Sequence, residues 1–273
     1  MQTLGKIFSQ TCQSKYSYLG FIKYRRSFVR IIGGMVQNFT LVKFAGRPAC
    51  TVFFSVRALC QNQQMRIDFE DYRLDDFYIA SELDKFGGWY VDVSSEESIA
   101  NCVGRLTDAM DSIIIPLFEK CIDCKSSLRE LLKVEYSLNC VRQEQRRRWH
   151  MKDRAESWFK NSLYNYATYY MALKSHNNSF ARMFLENNIA SYDHKFKHLE
   201  TYEDRELAER KRRAFTKELQ QLEIHYTHII SKDMSFFDNL LEENEKRNIE
   251  FLSKEYPRLL TMGHKTGDGL REP

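Results

Sequence analysis

Between Gly104 and Gly263 the chain has no glycine, and between Pro116 and Pro257 it has no proline. These two residues are the strongest helix breakers, so their joint absence over such a span predicts nearly continuous helix in the second half. Long apolar runs are missing as well. Nowhere do about eighteen apolar residues follow one another, the length a helical membrane span needs, and Met1–Phe8 lacks the apolar core of a secretory signal. A cytoplasmic protein with no membrane association is the expectation. Strong net charge is also lacking: the formal charge is +4, with 17 basic against 16 acidic residues up to Leu138 and 24 against 21 after it. On that division neither half is a polyelectrolyte. The seven cysteines are odd in number and show no framework spacing, so they read as reduced thiols. Cys121 and Cys124 make one Cys-x-x-Cys, but two ligands fall short of a structural zinc site, and the spacing reads as filler on one helix face. No phosphate loop, Gly-x-Gly-x-x-Gly, Gly-x-Ser-x-Gly or kinase signature occurs. No catalytic residue and no cofactor is therefore assigned.

What is present begins with Phe28 to Arg57. Three runs rich in β-branched and aromatic residues are separated by Gly33-Gly34 and by a turn around Gly46 and Pro48, the signature of an antiparallel meander. Leu4, Ile7, Phe8 and Cys12 predict a helix over residues 2 to 16 that covers the sheet. Residues 61 to 72 turn polar and read as a loop or short helix, and two further strands are expected at 77 to 83 and 89 to 93. Ser94-Ser95-Glu96-Glu97 supplies a cap and first-turn acids for a helix whose stripe is Ile99, Val103, Leu106, Met110, Ile113 and Leu117. Pro116 should kink or end it. The fold class is α+β, an antiparallel sheet covered by helices followed by an all-helical extension.

The order of a first helix, Gly20-Phe21, Phe28-x-Arg30, a Val36-Gln37-x-Phe39 strand, a Trp89 strand and a long helix closing near Ile115-Pro116-Leu117 resembles a bacterial family. That family is known only as domain of unknown function forty-three-zero-four. The similarity covers roughly residues 1 to 130 and implies a fold and a bacterial origin, with no catalytic residues to carry over. The chain departs from the family pattern in having Trp89-Tyr90 where two tryptophans are frequent, and in its long C-terminal extension.

Three units follow: a sheet domain over 1–133, an all-helical domain over 134–260 and a disordered tail over 261–273. In the helical part, Leu185, Ile189, Tyr192, Phe196 and Leu199 repeat at 4-3-4-3, and so do Phe215, Leu219, Leu222, Tyr226 and Ile229. Two such seams describe antiparallel helices within one chain or across a homodimer. Thr201 and Asp204 mark a cap between them, although one unbroken helix over 179–230 would satisfy the same pattern. Trp158, Phe159, Leu163, Tyr166, Tyr170 and Leu173 predict an earlier helix, and Phe236 to Leu252 a last one. There Asn244 and Asn248 fall near core positions, where a polar residue sets register or pairing.

Several constellations carry possible chemistry. If the helices fold back near Tyr202, the pair His194/His198 lies roughly 25 Å from His225 at 1.5 Å per residue, so His176, His225 and His228 form the one intrachain metal cluster the spacing allows. Arg142, Arg146, Arg147, Arg148, Lys152 and Arg154, with Trp149 among them, invite a nucleic-acid reading, yet on a helical wheel they scatter over three sides. Asp68, Glu70, Asp71, Asp75 and Asp76 read as a solvated acidic loop. Tyr164, Tyr166, Tyr169 and Tyr170 suit a protein interface as well as a core. The leading expectation is a non-enzymatic bacterial interaction module, toxin-neutralising or defence-related, whose partner is another protein. A nucleic-acid-associated protein using the Arg142 to Arg154 segment stands second, and a metal-dependent enzyme third.

Overall fold

The structure is a computed structural model that describes residues 3–44, 49–62, 65, 71–77, 89–90, 95–149 and 166–263. Five strands form an antiparallel meander in sequence order: β1 (Ile22–Tyr24), β2 (Ser27–Ile32), β3 (Met35–Lys43), β4 (Ala49–Ala58) and β5 (Tyr72–Arg73). A sixth, β6 (Trp89–Tyr90), pairs with Ala49 and Cys50 of β4, on the edge that β5 also occupies. The polar stretch expected to be a loop thus ends in a strand. Tyr72 pairs with Phe54 and their rings stack at 5.3 Å, so one aromatic contact holds a two-residue strand on the sheet. Phe77 closes a 3-10 turn over Leu74–Phe77 where a strand was expected to open, and residues 78–83 lie outside the described residues. Gly33 and Gly34 have φ of +53° and +78° between the paired Ile32 and Met35, the two-residue hairpin turn that needs left-handed backbone at both positions.

Side chains alternate along the strands, and both faces of the sheet are covered. On one face Phe39 is the hub, stacked on Phe28 at 5.0 Å and tilted against Phe21 at 5.2 Å. Met35, Val52, Phe54 and Val56 extend that core toward the helices. It is roofed by α1 (Leu4–Tyr16), through Leu4, Phe8, Cys12 and Tyr16, and by α2 (Glu96–Lys120). Two polar residues lie in this apolar layer. Arg30 Nε donates to Gln37 Oε1 at 2.6 Å, and its Nη1 donates to the Leu19 carbonyl at 2.9 Å. Gln37 Nε2 in turn donates to the carbonyls of Phe118 at 2.8 Å and Cys121 at 2.7 Å, which supplies donors for the otherwise unpaired C-terminal carbonyls of α2. On the other face Val29 and Val36 cluster with Leu252 and Leu259 from the far end of the chain.

Ser95 opens α2 as expected, its hydroxyl accepting from the Ser98 N–H at 3.0 Å. Pro116 does not end the helix. It lies inside it, and the turn beyond survives because Leu117 and Phe118 are buried and Gln37 binds the final carbonyls. Cys121 caps α2 and Cys124 opens α3 (Cys124–Trp149), so the Cys-x-x-Cys straddles a corner and does not share one helix face. The boundary expected at residue 133 falls inside α3, and a single buried cluster runs from Leu4 to Leu241. Then follow α4 (Tyr166–Lys174), α5 (Asn178–Leu199), α6 (Arg205–Ile230), α7 (Met234–Glu255) and α8 (Pro257–Gly263). Residues 179–230 are therefore a hairpin within one chain. Asp204 caps α6 by accepting from the Leu207 N–H at 2.9 Å. The expected tail from 261 is corrected over its first three residues, which belong to α8; Leu259 on that helix is buried against the sheet, and residues 264–273 lie outside the described residues.

Two substitutions test this frame. A Cβ on Gly33 would overlap the Ile122 carbonyl oxygen, and φ is left-handed there, so Gly33→Ala is expected to cost about 3 kcal/mol in urea unfolding. Gln37→Leu strands Arg30 and two helix-end carbonyls, and should cost roughly 3 kcal/mol despite raising the apolarity of the core. A loss below about 1 kcal/mol for Gln37→Leu, on the scale of an ordinary surface change, would mean that the network does not hold α2 in place.

Candidate functional site

The helices of the second half meet the loop after β4 around an open cleft of about 720 Å³. Its base is α4, buried over Thr168–Leu173, which a helix apolar on all sides requires. Tyr169 of α4 stacks on Phe184 of α5 at 4.6 Å, and Tyr166 meets the same ring edge-on at 5.3 Å. The β4 loop is fixed from α7. Asn248 Nδ2 donates to the carbonyls of Leu59 at 2.7 Å and Gln61 at 2.9 Å, while its Oδ1 accepts from the Met65 N–H at 2.9 Å. Asn244 donates to the Cys60 carbonyl at 3.1 Å and accepts from Arg247 at 2.8 Å. The two buried asparagines were expected to set register across a helix seam. Their work is to satisfy the backbone of a buried loop, which cannot reach water.

The walls combine aromatic rings with convergent polar groups. Tyr166, 40% exposed, presents an open ring, while Tyr170 and Tyr192 line the cleft as buried rings; Asn62, Asn188 and Gln221 present amides, and Ile224, 51% exposed, presents an apolar rim. Lys195 lies over the Tyr192 ring at 3.8 Å, and burial pulls its amine below the ordinary lysine range. Tyr192 donates to Glu218 at 2.8 Å, and burial together with that bond pushes its hydroxyl upward, so it stays protonated. His225 closes one end of the cleft. Its Nδ1 lies 2.9 Å from the Tyr169 hydroxyl, and the rings of Phe236 and Phe237 stand edge-on to it at 5.8 and 5.7 Å. Burial first, then the neighbouring His228, lowers its pKa to about 4. His225 is thus a neutral imidazole at pH 7, a hydrogen-bonding wall element and not a cation.

The other expected residues fall as follows. His228 bonds Asp233 at 2.9 Å and stacks on Phe236 at 3.8 Å, while His176 is exposed at the end of α4 with φ of +55°. The three histidines are not assembled into a site, and no group of three or more metal-ligating residues occurs among the described residues. Arg142, Arg146, Arg147 and Arg148 lie on α3, with their side chains outside the described residues, as Lys152 and Arg154 are entirely. Of the acidic segment, Asp71 pairs with Arg57 and Asp75 and Asp76 fall in the 3-10 turn, while Asp68 and Glu70 lie outside the described residues. Tyr164 lies outside them too. The Cys121 thiol is buried, and burial pushes it up to about 12, which makes it inert.

Sequence reasoning found the tyrosines but missed Asn188, Lys195, Glu218 and Gln221. These positions flank the two 4-3-4-3 seams, and flanking positions converge only once the direction of the hairpin and the seat of α4 are known. No helix among the described residues is long and apolar enough to cross a membrane. Comparison with protein-family models, curated proteins and solved structures finds no match for this chain.

The His225 shift has a stability consequence. Its folded pKa is depressed from 6.5 to about 4, so the neutral form stabilises the fold above pH 6.5, and that contribution is lost as pH falls toward 4. The loss is expected to reach roughly 3 kcal/mol, on a scale of about 1.4 kcal/mol per pKa unit. His225→Gln should flatten this part of the profile in urea unfolding at pH 7, 5.5 and 4. Parallel profiles for the two proteins would contradict the burial of a neutral imidazole.

Proposed function

We propose that the chain is a non-enzymatic protein-interaction module of a bacterial cytoplasm, and that its helical cleft receives an extended segment of a partner protein. The observation that carries this reading is the composition of the cleft walls. The exposed Tyr166 ring and the Ile224 rim offer apolar contact area, and the Asn62, Asn188 and Gln221 amides can both donate and accept, as the main chain of an extended peptide requires. Lys195 and Glu218 add one charge of each sign, which suits a polar polypeptide better than a purely apolar ligand. Homodimerisation through the 4-3-4-3 seams has less support, since Leu185, Tyr192 and Leu199 are already buried within the single chain, Tyr192 edge-on to Phe215 of the opposing helix. The kinship of residues 1 to 130 with the family named above belongs to the same proposal. Its support is that Arg30 and Gln37, two residues that carry the resemblance, form one buried network.

The test is an affinity capture from the native host with nuclease applied to half the sample, using wild type and Ile224→Glu side by side. A discrete partner should survive nuclease and fall at least tenfold in Ile224→Glu, since a rim charge is then forced against an apolar contact. Equal melting temperatures of the two proteins establish that the cleft, not the fold, was altered. A partner retained in full by Ile224→Glu, or one released by nuclease, would sink the reading.

A further inference from the structure

The near-even charge of the first 138 residues conceals a segregation. Residues 1–67 contain ten Lys and Arg and no Asp or Glu, whereas the remainder of the chain carries 31 basic against 37 acidic residues. Folding neutralises part of the excess with carboxylates from later in the chain: Lys15 pairs with Asp111, and Arg57 with Asp71. Arg30 is spent on Gln37. Four cations remain together. Lys23, Arg25, Arg26 and Lys43 are all exposed and line a groove of about 340 Å³ between the first turns of α1, the β1–β2 hairpin and the end of β3. No carboxylate lines that groove among the described residues, and none of the four side chains has an ion pair. Its floor is Phe8 and Phe28, both buried, so no aromatic face is open for a base to stack on.

We propose that this groove binds the sugar-phosphate backbone of a single-stranded nucleic acid, independently of base sequence. Clustered cations without neighbouring acids recognise polyanions through counterion release, a gain that grows with each phosphate neutralised. The concavity favours a narrow chain over a duplex or a flat lipid surface, and the absence of an exposed ring limits recognition to backbone charge. The groove shares no lining residue with the helical cleft. It stands whether or not the cleft binds a protein.

The experiment is fluorescence anisotropy of labelled twelve-residue oligodeoxyuridylate and oligouridylate, which differ only in the sugar, with the full chain between 50 and 200 mM salt. With about 0.7 in the logarithmic salt slope per phosphate contact on a single strand, four contacts predict a slope near −3 and roughly fifty-fold weaker binding across that range. The double variant Lys23→Glu/Arg26→Glu should bind at least tenfold more weakly at 50 mM salt and halve the slope, with its melting temperature unchanged because neither side chain has a partner to lose. Lys43→Glu, from a different strand, should weaken binding in the same direction. Arg142→Glu/Arg146→Glu in α3 serves as a charge-matched control and should leave affinity within about twofold of wild type. Stronger binding to one oligonucleotide names the sugar and supports the proposal equally. It is overturned by no binding at 50 mM salt, by equal losses in the groove and control variants, or by binding of phosphatidylserine vesicles or polyglutamate without binding of either oligonucleotide.

Discussion

The carboxamide of Gln37 joins the two halves of this architecture. It sits in mid-strand on the covered face of the sheet, accepts from the Arg30 guanidinium and donates to both Phe118 and Cys121 at the α2–α3 corner. A buried amide whose oxygen and both N–H groups are bonded is a stronger positional constraint than an apolar contact, because a shifted geometry leaves polar groups unpaired in a low-dielectric setting. Gly33 presses on the next residue of the same corner, where only a hydrogen fits against the Ile122 carbonyl. The corner is thereby pinned from two points, the β2–β3 turn and the middle of β3. The direction of α3 follows from it, and with that the seat of α4.

From α4 the constraint passes outward. Its rings stack on α5, and its length is enclosed by α3, β4, α5 and α7, so the hairpin of α5 and α6 is docked through one short buried helix. The return path is polar. Asn244 and Asn248 reach from α7 to backbone groups of the β4 loop more than 180 residues earlier in the sequence. Between these two attachments the helices leave an open volume. The cleft is a consequence of how the helical half is moored.

Local pattern revealed most of the fold. The Gly33-Gly34 turn, the Ser95 and Asp204 caps and the two 4-3-4-3 stripes each encode an element through a rule that acts over a few residues. What stayed hidden depends on partners far apart in sequence. Asn248 looks like a seam residue because its helical phase is that of Leu241 and Leu252; only the tertiary fold brings Leu59 and Met65 to it. Tyr72 sits in a polar segment, and its strand exists because Phe54 is there to stack on. The cleft was legible only as a richness in tyrosine, since its polar members flank the stripes. The basic excess behind the cationic groove is legible in sequence, since a division of the chain at residue 67 in place of 138 separates ten basic residues from every acidic one, but only the fold gathers four of them in one groove.

The second face of the sheet sets an order of events. Val29 and Val36 find Leu252 and Leu259 only after some 220 further residues have been made, since these side chains share one buried cluster. At roughly 5–20 residues per second of synthesis, a nascent chain carries that valine-lined face uncovered for about 10–45 s. During that interval the first helix can already seat on the opposite face, so the half-built protein is a sheet with one dry side and one wet side. The last turns of the chain act as a closing plate. A ribosome that stops short of residue 250 would release a molecule whose sheet is formed but still adhesive.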